Sequence, residues 1–121
     1  MHSISVGEVE TALLQSWSRE SSSKWKHKNP ALGQCGVTAL VVQDILGGEI
    51  YKTIVEKPGV PPLWHFYNKV DGKFVDFTSS QFDDPVAYDN VSSERTEAFA
   101  DTNSEQYSYL KKAVNTYLGL E

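Results

Sequence analysis

Asp71-Gly72 stands between two runs rich in aromatic and β-branched residues, Leu63-Trp-His-Phe-Tyr-Asn-Lys-Val70 and Lys73-Phe-Val-Asp-Phe-Thr78. An Asp-Gly pair readily supplies the positive φ angles of a two-residue turn, so the runs are predicted to fold back as an antiparallel hairpin. The turn sets the register. Val70 faces Lys73, Tyr67 faces Asp76 and His65 faces Thr78. Strand side chains alternate between faces, so His65, Tyr67, Asp76 and Thr78 project to one side. Trp64, Phe66, Val75 and Phe77 take the other side, which reads as a core face. His65 and Asp76 become diagonal neighbours about 7–8 Å apart at the backbone, within reach of an imidazole–carboxylate contact.

The rest of the chain supplies helices. Residues 5–18 carry a Ser5-x-x-Glu8 capping box, with Val9, Leu13 and Trp17 on one face. Residues 19–34 are polar, and Ser21-Ser22-Ser23 and Asn29-Pro30 mark loop. A second helix is predicted from Cys35 to Leu46, stopped by Gly47-Gly48. Val37, Leu40, Val41 and Ile45 keep helical spacing, and the few charges suit a central buried helix. Residues 49–56 alternate as a strand, and Pro58, Gly59, Pro61 and Pro62 predict a loop after it. Residues 79–101 read as irregular, with a short helical stretch near 94–99. The last helix spans 104–118, with a Thr102/Glu105 capping box and a buried stripe of Tyr107, Leu110, Val114, Tyr117 and Leu118. Helices segregated from an antiparallel sheet predict an α+β fold. With 121 residues, the expectation is one domain over 1–121.

Composition narrows the function classes. A net charge of −5 argues against nucleic acid as a partner, because phosphate binding needs clustered Lys and Arg. Lys24, Lys26 and Lys28 read as a solvated basic loop. No apolar run approaches the roughly 20 residues that span a bilayer, so no membrane partner is expected. The N-terminus shows neither the basic nor the apolar region of a signal peptide. One cysteine cannot form an internal disulfide and suits a reducing, cytoplasmic setting.

That cysteine, Cys35, lies in Gly33-Gln34-Cys35-Gly36 at the predicted start of the central helix. A helix N-terminus lowers a thiol pKa and offers free N–H groups to an oxyanion. Cys35, His65 and Asp76 then read as nucleophile, base and orienter of the base. The amides of Gln34 or Asn29 could add an oxyanion donor, and Trp64 would sit near the substrate. Cys35, His65, Asp76 and His27 also match zinc by ligand type. The chain lacks Cys-x-x-Cys or His-x-x-x-His spacing, so neither a metal nor another cofactor is expected.

Gly33-Gln34-Cys35 resembles the Gly-Gln-Cys around the nucleophile of transglutaminases. Trp64-His65-Phe66 and the segment Asp71-Gly72-Lys73-Phe74-Val75-Asp76-Phe77-Thr78 resemble their His and Asp segments. The resemblance implies a papain-like fold with a Cys35-His65-Asp76 triad and covers residues 33–78. Transglutaminases carry an aromatic directly after the nucleophile, where this chain has Gly36. Over nearly its whole length the chain also resembles the small bacterial YunG-like proteins. They share an Asn-Pro-x-x-Gly-Gln-Cys segment, a Gln43-Asp44-x-x-Gly47-Gly48 helix end, a Trp-His strand and an Asp-x-Thr strand end. The expected function is a cysteine-dependent hydrolase or transferase acting on a peptide or small amide or acyl substrate. The alternative is a non-catalytic binding module that keeps the same shell.

Overall fold

Every residue from Cys35 to Val42 is buried, and this makes helix α2 (Cys35–Leu46) the axis of the fold. The computed structural model describes residues 3–120. Helix α1 (Val6–Ser16) starts at the expected capping box. The Ser5 hydroxyl accepts the Glu8 N–H at 3.1 Å, and the Glu8 carboxylate accepts the Ser5 N–H at 3.0 Å. Its apolar face, with Val9, Ala12 and Leu13, is fully buried. Trp17 ends the helix and donates its indole N–H to Thr38 Oγ1 at 2.9 Å, which pins the exit of α1 to α2. Helix α4 (Ser104–Leu118) completes this side, and Leu110 and Val114 meet Val9, Leu13, Val37 and Val41 in one core.

The other side of α2 meets a sheet of four antiparallel strands in the order β3-β2-β1-β4. Strand β1 (Glu49–Lys57) pairs with β2 (Val60–Val70), placing Tyr51 opposite Tyr67 and Thr53 opposite His65. The entry of the chain into β1 is tight. A Cβ on Gly48 would lie 2.1 Å from Lys69 O, and its φ is +80°, so only glycine fits there. Strand β3 (Lys73–Val75) pairs with β2 in the predicted register, Val70 with Lys73 and Asn68 with Val75. A second core joins Cys35, Ala39 and Leu40 to Ile50, Phe66 and Ala98. The buried Asn68 is satisfied there by donating to Ala39 O at 3.0 Å.

Several expectations need correcting. Residues 60–62 are strand rather than loop. Pro61 and Pro62 fall where the β1–β2 register shifts, and β3 leaves that stretch of the other edge uncovered, so their missing N–H groups break no regular ladder. Strand β3 stops at Val75, not Thr78, because the Asp76 carboxylate turns back to accept the Thr78 N–H at 3.1 Å, a local turn that competes with pairing. Trp64 is exposed, unlike Phe66. Within the segment read as irregular, Val91–Ser93 forms β4 on the edge of β1, while the short helical stretch expected near 94–99 is present as helix α3 (Arg95–Ala100). Asn103, rather than Thr102, caps α4 by accepting the Gln106 N–H at 2.8 Å. Tyr117 lies on the open face of that helix, outside the buried stripe. No helix among the described residues is long and apolar enough to cross a membrane.

Candidate active site

Strand β3 covers β2 only at Asn68–Val70. The start of α2 packs beside Phe66 of β2, whose backbone N–H favours the Cys35 thiolate. Cys35 is the first residue of the helix, after Gly33 in the left-handed region (φ +74°) and Gln34 at the N-cap. No side chain caps the helix from Gln34. The carboxylate of Asp101, at the C-terminus of α3, takes that role from outside. Its Oδ2 accepts the Gly36 N–H at 3.1 Å and lies 3.5 Å from Cys35 Sγ. Gly36 permits this approach. A Cβ there would stand 2.6 Å from Asp101 Oδ2 and 2.8 Å from Ala98 O. The residue that departs from the transglutaminase pattern is thus the one against which α3 closes.

The electrostatic outcome reverses one expectation. Burial, first, and then the negative charge of Asp101 push the Cys35 thiol well above its ordinary range, against the lowering effect of the Phe66 N–H. The helix N–H meant to favour a thiolate is spent on a carboxylate, and that carboxylate opposes a second anion. Asp101 itself is solvent-exposed on its outer side. The crowded inner side raises its carboxyl, in opposition to Cys35, Gly36 and Lys24.

His65 and Asp76 do meet. His65 Nε2 lies 2.6 Å from Asp76 Oδ2, with both side chains at least nine-tenths buried. The Thr78 N–H (3.1 Å) and hydroxyl (3.3 Å) both donate to Asp76 Oδ1, and the Tyr88 hydroxyl donates to Oδ2 at 2.7 Å. Burial alone would raise the Asp76 carboxyl, but the contacts from His65, Tyr88 and Thr78 outweigh it and hold it below the usual range. The ring of His65 packs edge-on to Phe82 at 4.9 Å and stacks on Tyr67 at 6.1 Å. With Nε2 given to Asp76, its Nδ1 is buried and has no hydrogen-bond partner.

A cavity of about 170 Å³ brings Cys35 and His65 together, with Trp64, Gln81, Phe82 and Asp101 in its wall. Asn29 and Gln34 do not line it. Asn29 donates its amide to Gln81 O at 3.1 Å and Gln34 donates to Ser18 O at 3.4 Å, so both expected oxyanion donors hold loops instead. Gln81 is a cavity residue that sequence reasoning missed. Its Oε1 accepts the Gly33 N–H at 3.3 Å, leaving Nε2 buried and unpartnered in the cavity wall. Asp101 and Tyr88 were missed as well. Each acts across the fold, from a segment with no motif or periodicity. His27 packs edge-on to Trp25, and among the described residues no three His, Cys, Asp or Glu side chains gather as a metal site.

Comparison with known proteins identifies relatives of this chain. No solved structure matches it. It is 52% identical over 110 residues to the uncharacterized protein YunG of Bacillus subtilis (strain 168), covering 91% of each chain. The family described as YunG protein matches residues 5–119, and the chain belongs to that family.

Proposed function

We propose that this protein is a cysteine-dependent amide or acyl hydrolase or acyl transferase with a papain-like, transglutaminase-like arrangement of Cys35, His65 and Asp76. The observation that carries the reading is the state of His65. One ring nitrogen is held by Asp76 and the other is buried and unpartnered, in a cavity shared with the only cysteine. A buried imidazole with one free nitrogen is costly to keep unless that nitrogen has a task. In the proposed reaction His65 Nδ1 takes the Cys35 proton as the sulfur attacks a carbonyl carbon. The C–N or C–O bond then breaks, the leaving group takes the proton back from His65, and a thioester remains on Cys35. Water or an amine resolves that thioester. Asp76 fixes the tautomer and steadies the imidazolium. The substrate class is a peptide or small amide or acyl compound, in a cytoplasmic setting and without a cofactor.

A second reading is a binding module with a structural cysteine, and the upward push on the Cys35 thiol favours it. Acyl trapping separates the two. With p-nitrophenyl acetate, intact-protein mass spectrometry is expected to show one acetyl group on Cys35, absent in Cys35→Ser and formed at least about a hundred-fold more slowly in His65→Ala. Acetylation elsewhere, or at a rate indifferent to His65, overturns the enzymatic reading in favour of the binding module.

A further inference from the structure

Asp101 stands against the nucleophile without a counter-ion. Its Oδ2 is taken by the Gly36 N–H and the Cys35 thiol. Among the described residues, no Lys or Arg forms an ion pair with it and no hydrogen bond reaches its Oδ1. Lys24 acts on it only through its charge, and Asp76 adds a further negative field at Cys35. The same cavity wall holds two buried polar atoms with no partner, His65 Nδ1 and Gln81 Nε2. A ligand that completes the site brings a carbonyl oxygen for the Gln81 amide and a cationic N–H group for the carboxylate, and leaves His65 Nδ1 to the Cys35 proton.

We infer that the site takes a cationic substrate, an amide or acyl compound with an ammonium or amidinium group next to the reacting carbonyl, and that Asp101 recognises that cation. This rests on Cys35 acting as the nucleophile. The carboxylate then has two roles in sequence. In the free protein it accepts the thiol hydrogen bond and keeps the sulfur protonated. When a cation pairs with Asp101, its charge over the sulfur is neutralised, and the proton passes from Cys35 Sγ to His65 Nδ1. The nucleophile is thereby armed by the substrate that it will attack, and neutral acyl compounds react with it more slowly.

Two alkylating agents of nearly equal shape test this, cationic 2-chloroacetamidine and neutral 2-chloroacetamide. Each forms a C–S bond at Cys35, releases chloride, and leaves the thiol proton to His65 and solvent. In wild type the ratio of the two rates is expected to exceed that for N-acetylcysteine by about ten-fold, the scale of one charge-assisted contact. In Asp101→Asn, whose amide oxygen can still accept the Gly36 N–H, the ratio is expected to fall to the free-thiol value while chloroacetamide labelling accelerates. A second measurement needs no variant. In about 1 M salt the wild-type excess is expected to shrink, since screening there acts within about 3 Å. A wild-type ratio equal to that of N-acetylcysteine, or an excess that survives in Asp101→Asn, overturns the inference. His65→Ala keeps the outcomes apart. If its labelling rate equals that of wild type while the ratio stays high, the triad reading fails and cation recognition stands.

Discussion

Two carboxylates serve the candidate site, Asp101 in the cavity wall and Asp76 behind His65, and the molecule treats them in opposite ways. Asp76 is side-chain buried and receives contacts from His65, Thr78 and Tyr88, which together hold it below its ordinary range. Asp101 sits in an exposed residue, accepts one backbone N–H and one thiol, and is raised. Burial raises both carboxyls, and the strength of the opposing contacts decides the outcome. Around Asp76 the His65, Tyr88 and Thr78 contacts outweigh burial, whereas the Cys35 thiol and the Gly36 N–H lower Asp101 too little to offset it. One corner of the site is a saturated clamp on His65. The other is an unsaturated contact on Cys35, with one carboxylate oxygen that no hydrogen bond reaches among the described residues.

The largest expected effect tests whether the two corners form one machine. Cys35→Ser should abolish turnover of any amide or ester that the wild type processes, by about 10³-fold or more, since the hydroxyl is a far poorer nucleophile against the same base. Steady-state assay of the purified variant reads this directly. Next, Asp76→Asn should lower unfolding free energy by about 1.5–3 kcal/mol near neutral pH, the scale of a hydrogen bond to a buried charged group. Its pH dependence has a definite sign. A carboxyl held lower in the folded state stabilises fully above its unfolded pKa of about 3.9 and loses that contribution as pH falls through the folded value. The urea midpoints of wild type and Asp76→Asn should therefore converge below about pH 4. Convergence on raising the pH instead would remove Asp76 from the role of clamp.

Gly36→Ala addresses the other corner. The added methyl meets Asp101 Oδ2 and Ala98 O well inside contact distance, so α3 must retreat, at about 1–3 kcal/mol. Chemical denaturation measures the cost. Labelling of Cys35 by iodoacetamide should rise at the same time, because the carboxylate moves away. An unchanged stability would mean that α3 is held more loosely than the contact implies. The smallest effect belongs to Tyr88→Phe, which removes one of the donors to Asp76 and should cost about 0.5–1.5 kcal/mol in the same denaturation assay.

The two corners also differ in how far the sequence announced them. The His65–Asp76 contact follows from a local rule. A two-residue turn sets the register, alternation sets the face, and the pair lies 11 positions apart. Even so, the route to it differs in detail, because Asp76 lies just beyond the strand and reaches His65 from a turn secured by Thr78. The start of α2 at Cys35 was legible from the apolar run and the double glycine. Asp101 and Gln81 were not, since their partners lie 48 to 66 positions away and depend on how α3 and the 79–90 segment settle on the sheet. Strand β4, with two serines in three residues, has no pattern of its own and forms because β1 offers it an edge.

The proline pair in β2 has a consequence for how the protein behaves in a crowded solution. Val60, Leu63 and Trp64 are exposed along a strand margin that β3 leaves bare, and such a margin invites a neighbouring chain to add itself as the next strand. Pro61 and Pro62 carry no amide hydrogens, which weakens that stretch as a template and acts against runaway strand-to-strand polymerisation.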